Sequence, residues 1–356
     1  MVNIFFGLLL LAVPGTVVAD HLHCSPTVVM ALACIGIIPL AKFMGEATEH
    51  LSHHVGPTLG GVLNATFGNA CELIIAFYAV KAGLIDVVKA SLTGSILGNI
   101  LLVLGGSMLV GGLKYETQTF SKMTAATGSK LLMIIAFVLV LPAAGNSGPA
   151  LPAAELQVLS QHLSLGISGV LIVLYLLGLF FSLGTHKHLF VPVTSAEDDD
   201  IEKPWPVYLG VAVLAVATVA IAVLSDYLVD NVEQTASTIG MTPVFIGVFV
   251  LAIIGNAAEN STAVIMAYKN KMDLSVSIAL GSSTQIALYV APVIVLAGYF
   301  MGQPMDLLFS HSEIIAVIAA VFICFAVLFD GASDWFEGAL LLGLYICLGM
   351  KFYFLG

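Results

Sequence analysis

Apolar residues run along this chain in long unbroken blocks separated by short polar breaks. Blocks of spanning length, roughly 17 to 25 residues for a helix that crosses a bilayer, fall at 2–18, 26–44, 58–83, 87–112, 125–144, 163–184, 205–225, 242–268, 274–300, 312–329 and 335–355. The pattern predicts an all-α polytopic membrane protein with about 11 transmembrane helices. The fifth block carries Lys130 near its start and runs into a Pro/Gly-rich tail at 141–152. The first block ends near Val17-Val18-Ala19, which looks like a cleavage site. Its leading segment has no basic side chain, so a retained helix is expected rather than a secretory signal.

One connection is strongly polar, 186–206, with Glu197-Asp198-Asp199-Asp200 and Glu202. It divides the chain into a leading helix at 1–25, a first five-helix repeat at 26–190, an acidic linker at 191–204 and a second five-helix repeat at 205–356. An odd number of spans per unit makes the second copy insert upside down, which is the inverted-repeat plan of many transporters. Residue identities support the duplication. Gly68, Asn69, Ala70, Glu72, Ala76, Asp86, Gly94, Ser95, Leu101 and Val103 recur 187 positions later as Gly255, Asn256, Ala257, Glu259, Ala263, Asp273, Gly281, Ser282, Leu288 and Val290. Upstream, Glu46, Glu49 and Gly56 meet Asp230, Glu233 and Gly240 at an offset of 184.

Composition agrees with a membrane protein. With 59% hydrophobic and 9% charged residues, and a mean hydropathy of +1.06, the chain has more apolar surface than a soluble core of this length buries. It has no arginine, and 11 lysines against 22 acids leave a net charge of -11, which excludes nucleic-acid partners. The expected partner is membrane lipid; no oligomeric state is read from the chain. Its five cysteines show no CxxC spacing and read as packing residues rather than a disulfide framework or zinc site. With the N-terminus cytoplasmic, Lys42, Lys114, Lys122, Lys130, Lys187, Lys203, Lys269 and Lys271 lie inside. Lys81, Lys89 and Lys351 then lie outside, so the positive-inside rule places the linker in the cytoplasm and the C-terminus outside.

The duplicated motif sets Glu72 and Glu259 in the middle of apolar blocks. An ionised carboxylate there costs at least ~2.5 kcal/mol, so such a residue normally lines a pathway or holds an ion. Residues three or four apart share a helix face. Asn64, Gly68, Asn69 and Glu72 therefore form one polar stripe, and Gly255, Asn256, Glu259 and Thr262 another. A glycine beside an asparagine at midspan favours a local break that frees backbone carbonyls. The helix after each motif adds Ser91, Ser95 and Asn99 in the first unit and Ser282, Ser283 and Gln285 in the second. An all-oxygen set with two carboxylates suits calcium, which takes six to eight flexible oxygen ligands, better than magnesium or a softer metal. Two carboxylates neutralise one Ca²⁺ or hold two protons, so both loaded states cross an apolar barrier cheaply and the empty, doubly charged pair does not. The expected cargo is a hard cation, calcium, with no cofactor. Glu46, Glu49, Asp230 and Glu233 are candidate cation entrances on opposite membrane sides, and Asp86 and Asp273 are expected helix N-caps.

Long strings of the chain resemble the calcium/proton exchangers of the calcium/cation antiporter superfamily. The resemblance rests on Gly61-Val62-Leu63-Asn64-Ala65-Thr66-Phe67-Gly68-Asn69-Ala70 before Glu72, on Ala90 through Asn99, and on Gly255-Asn256-Ala257-Ala258-Glu259. Further matches are Gly281-Ser282-Ser283-Thr284-Gln285 and the Trp335-Phe336-Glu337-Gly338 helix start. It implies an antiporter that exchanges Ca²⁺ for H⁺ by alternating access, with the roles of calcium ligand and proton carrier falling on Glu72 and Glu259. It also implies that the second and seventh membrane helices act as gates. Cys71 departs from the threonine or valine common in the family. A sodium/calcium exchanger of the same architecture is the alternative. An intramembrane enzyme is the reading from another class, and the chain has neither HExxH nor GxGD to support it. Short loops point to a prokaryotic cell membrane.

Overall fold

Every predicted apolar block is helical in the computed structural model, which describes residues 2–144, 153–186 and 204–355. The helices are α1 (Val2–Leu9), α2 (Ala12–His21), α3 (Pro26–Val55), α4 (Pro57–Phe67), α5 (Ala70–Lys81), α6 (Ile85–Gly112), α7 (Lys122–Ala144) and α8 (Ala153–Phe180). After the linker come α9 (Val207–Asp230), α10 (Val232–Ile239), α11 (Pro243–Gly255), α12 (Ala257–Tyr268), α13 (Met272–Phe300), α14 (His311–Val327) and α15 (Trp335–Leu355). Among the described residues, seven helices are long and apolar enough to cross a bilayer. The α4–α5 pair, bent by 41°, adds another span. The acidic run at 197–202 lies outside the described residues.

Several expectations change in detail. The first block is two helices with a turn at 10–11, not one. The second block continues as helix well past its apolar part. Ser25 and Pro26 start α3, and only Gly56, at φ 84°, stops it, so Glu46 and Glu49 sit inside a continuous helix. Lys130 lies in the middle of α7 rather than near its start. Asp86 and Asp273 are not N-caps: Leu84 and Lys271 occupy those positions, and the two acids stand in the first turn, where a carboxylate still faces the positive helix end. Asp273 Oδ1 instead accepts the Ser121 backbone N–H at 2.8 Å. α14 begins at His311, where Ser310 and Glu313 form a capping box.

Depth in the bundle follows burial. The membrane window is 83% buried in α6 and 67% in α13, but only 22% in α9 and α15, so α6 and α13 form the centre and the others the lipid-facing rim. Their shared core includes Leu97, Ile100, Leu101, Leu104, Ile286 and Ile294, all fully enclosed. Each central helix also carries a π-helical turn, Gly98–Val103 and Ile286–Val290, where the extra residue re-aims the side chains around it.

The loops 113–121, 269–271 and 328–334 gather on one end of the bundle. There β1 (Gln118–Thr119) pairs antiparallel with β2 (Ala332–Ser333), and Gln118 Nε2 donates to the Ala267 carbonyl at 2.8 Å and Asn270 Oδ1 at 2.9 Å. This end is called the strand face below. At the opposite end Lys89 pairs with Asp306 and donates to the Leu308 carbonyl at 3.0 Å.

Candidate functional site

The two motif spans break at the same residue type. Asn69 separates α4 from α5 with φ -100° and ψ 17°, and Asn256 separates α11 from α12 with φ -92° and ψ 7°. At these breaks the spans cross, and the glycine of each motif makes room for the carboxylate of the other. A Cβ on Gly255 would stand 2.9 Å from Glu72 Cγ and 3.6 Å from its Oε1, while a Cβ on Gly68 would stand 3.1 Å from Glu259 Oε1. The side chains of Glu72 and Glu259 thus meet in the interior, one from each half. Glu72 is 7% exposed and Glu259 is partly buried.

Around the pair runs a hydrogen-bonded network that joins the halves. Asn69 Nδ2 donates to Gln285 Oε1. Asn256 Nδ2 donates to Ser95 Oγ at 3.0 Å, and Asn99 Nδ2 donates to Ser282 Oγ at 2.9 Å. Ser282 Oγ in turn donates to Asn256 Oδ1 at 3.3 Å. Six of the sequence candidates, Asn69, Asn256, Ser95, Asn99, Ser282 and Gln285, are therefore brought together with the glutamates. Ser283 is not part of this network, since its hydroxyl donates to the Ala279 carbonyl of its own helix at 2.9 Å. Cys71 is buried in the apolar core.

Three oxygens of this cluster have no hydrogen-bond partner and no contact with solvent: Asn69 Oδ1, Glu72 Oε2 and Glu259 Oε2. Buried acceptors are seldom left so. A hard cation held between them would satisfy all three at once, and the donor chemistry, carboxylate and amide oxygen without thiolate or imidazole, is that of calcium. Among the described residues no group of three or more His, Cys, Asp and Glu gathers as a metal cluster.

Burial around the pair differs between its two sides. Toward the strand face, the stripe residues Asn64 and Thr262 are exposed. Away from it, the same helix faces continue as Ala76, Ala79 and Val80 below Glu72 and as Ala252 and Leu251 behind Glu259, all buried. Two close approaches seal that side: a Cβ on Gly94 of α6 would fall 2.0 Å from the Val248 carbonyl oxygen of α11, and one on Gly247 would fall 2.8 Å from Ala90 Cβ.

The proposed entrances lie away from the pair. Glu46 is ion-paired with Lys42 at 3.3 Å and Glu49 is exposed, both on the part of α3 that leads to the strand face. Asp230 and Glu233 are exposed at the opposite end. Two features had no signal in the sequence. Tyr175 donates its hydroxyl to the Ala65 carbonyl at 3.3 Å and stacks on Tyr289 with ring centroids 5.0 Å apart. Buried Glu313 accepts from Thr93 Oγ1 at 3.2 Å.

Comparison with known proteins places this geometry in context. The profile described as sodium/calcium exchanger protein matches residues 25–184 and 209–353. A Ca(2+)/H(+) antiporter of Aphanothece halophytica is 46% identical over 99% of this chain and 96% of its own length. The Ca(2+)/H(+) antiporter ChaA of Bacillus subtilis is 45% identical over the whole of both chains. The solved structure of native YfkE aligns with 98% of this chain and 99% of its own, at 41% identity and a TM-score of 0.84.

Proposed function

The chain belongs to the sodium/calcium exchanger protein family, and from that membership we propose that it is an integral membrane antiporter that moves Ca²⁺ in exchange for H⁺ by alternating access. What carries the reading is the crossing of the two broken spans, which joins Glu72 and Glu259 and leaves three enclosed oxygens aimed at nothing else. In this reading Glu72 and Glu259 hold either the calcium or two protons. Asn69 Oδ1 is a direct ligand, and Asn256, Ser95, Asn99, Ser282 and Gln285 fix the breaks and hold the ligands in place through their hydrogen bonds. Ser283 belongs to the packing of α13.

The units 26–190 and 205–356 act as the two inverted halves, with 1–25 as a leading helix and 191–204 as a cytoplasmic linker. A cytoplasmic N-terminus puts the strand face in the cytoplasm, and with it the side on which Asn64 and Thr262 are exposed. Glu49 then stands at the inner approach and Asp230 with Glu233 at the outer one, while the partner Lys42 reduces the pull of Glu46. The expected setting is a prokaryotic cell membrane.

Calcium uptake into inside-out vesicles under an imposed pH gradient, acid inside, tests the proposal. Uptake is expected for the native chain and is lost in Glu72→Gln and Glu259→Gln. Removing a charged ligand costs on the order of 3 kcal/mol, about 100-fold in affinity. Uptake that follows a sodium gradient and ignores the pH gradient selects sodium/calcium exchange instead.

A further inference from the structure

The two motif breaks are not equivalent. In an unbroken helix the Asn69 N–H would bond to the Ala65 carbonyl, four residues back. Here the last such bond of α4 runs from the Gly68 N–H to the Asn64 carbonyl at 2.8 Å, and the one from Asn69 is not made. Ala65 is only 7% exposed, so its carbonyl is largely screened from bulk water and needs a partner. The Tyr175 hydroxyl takes its place, reaching in from α8 at 3.3 Å.

The second half solves the same problem from within. Ala252 is the repeat counterpart of Ala65, and its carbonyl accepts from Asn256 twice, from the backbone N–H at 3.3 Å and from Nδ2 at 3.0 Å. That duty turns the Asn256 side chain back onto its own helix. Its Oδ1 is occupied as well, by Ser282 Oγ. Asn69 has no such duty. Its Nδ2 goes across to Gln285, and its Oδ1 is left enclosed and unpartnered beside the carboxylates. Tyr175 is held for the task by burial and by its stack on Tyr289, which lies in the π-turn directly after Gln285. One side chain therefore touches both elements that meet in the Asn69–Gln285 bond.

We propose that Tyr175 is a positioning residue of the ion site: by holding the carbonyl released at the first break, its hydroxyl relieves Asn69 Nδ2 of the duty that Asn256 Nδ2 performs, so that Nδ2 pairs with Gln285 and the side-chain oxygen is turned to face the ion. The site is then asymmetric, with an amide oxygen contributed by the first half alone. This rests on the calcium reading above, and it deepens that reading by assigning the ligand geometry to a residue outside both motifs.

Tyr175→Phe keeps the ring and its stack and removes only the hydroxyl. Calcium titration of the purified protein is expected to show affinity reduced about 10-fold, the lower range for losing a group that orients a metal ligand. In vesicles the KM for calcium rises by the same factor while the maximal rate stays near that of the native chain, a split that loss of folded protein does not produce. Affinity decides the matter. Tyr175→Phe with native affinity overturns the inference, whatever its thermal midpoint does. Titration needs no gradient, so this outcome is separate from failure of the transport reading, which appears as a native chain that binds no calcium or moves none against protons.

Discussion

Glu72 and Glu259 share a space in which neither has a lysine within reach of an ion pair among the described residues. Two bare negative charges at that depth are strongly disfavoured, whereas one divalent cation or two protons leave the space neutral. The amide and hydroxyl groups around them are already paired with one another, so they hold geometry and leave charge balance to the carboxylates. Protons and calcium therefore compete for the same oxygens, and binding one calcium displaces up to two protons. The sign follows from linkage: lowering the pH through the range in which the pair takes up protons weakens calcium binding, and above that range pH has no effect. The limiting dependence is about two decades of dissociation constant per pH unit, since each displaced proton contributes about one. Calcium titrations across a pH series check this. A flat profile would contradict a shared site.

At the scale of the helix, function depends on where the spans stop being helical. Glycine permits the crossing because the opposite glutamate occupies the volume a Cβ would need. Gly255→Ala places a methyl group 2.9 Å from Glu72 Cγ, and Gly68→Ala places one 2.7 Å from the Asn64 carbonyl oxygen and 3.1 Å from Glu259 Oε1. Both variants are expected to lose about 10-fold or more in transport, Gly255→Ala by displacing Glu72 and Gly68→Ala by shifting the Asn64 backbone and Glu259, because displacements near 1 Å at a positioned site have effects of that order or larger. Vesicle uptake normalised to inserted protein measures it, and native rates in both would remove the crossing from the mechanism.

The break itself was legible in the sequence, since a glycine-asparagine pair at midspan, repeated 187 residues later, has few other uses. The membership of Asn69, Asn256, Ser95, Asn99, Ser282 and Gln285 was legible too, from helical spacing. Their pairing was not. Bonds such as Asn99 to Ser282 or Asn256 to Ser95 join residues over 160 positions apart, and the choice among them is made by how the halves cross. Ser283 shows the limit of spacing, because one residue beyond Ser282 its hydroxyl turns back onto its own helix. The N-cap expectation for Asp86 and Asp273 failed for a related reason: helix starts shift by a residue or two under tertiary contact, and the Ser121 N–H claimed Asp273. Tyr175 carries no motif at all and is visible only through the carbonyl it satisfies.

Across the whole molecule, the two halves obey one sequence pattern in two different packings. On the sealed side Gly94 of α6 lies against the backbone of Val248, and Gly247 lies against Ala90 and the Val87 carbonyl, a small-residue clasp of the kind that lets membrane helices approach closely. The repeat counterparts of Gly94 and Gly247 are Gly281 of α13 and Gly60 of α4, near the strand face. There the clasp is absent: a Cβ on Gly281 would meet nothing within 4 Å, and Gly60 rests on Ser52 of α3 instead. The helices that precede the motif spans differ in step, with α3 continuous to Val55 and its counterpart broken at Asn231 into α9 and α10. Inverted repeats that exchange these packings would close α13 onto α4 while α6 parts from α11, which moves the opening from the strand face to the other end. Gly281→Leu is the discriminating change. A Cβ at Gly281 meets nothing within 4 Å in the packing described here, so the variant is expected to fold and to bind calcium with native affinity, yet to lose transport because the reciprocal clasp cannot form. Gly94→Leu would drive a side chain into the Val248 backbone and is expected to open the sealed end instead. Titration paired with vesicle uptake distinguishes the outcomes, and native uptake by Gly281→Leu would mean that the opposite state is reached without closing α13 on α4.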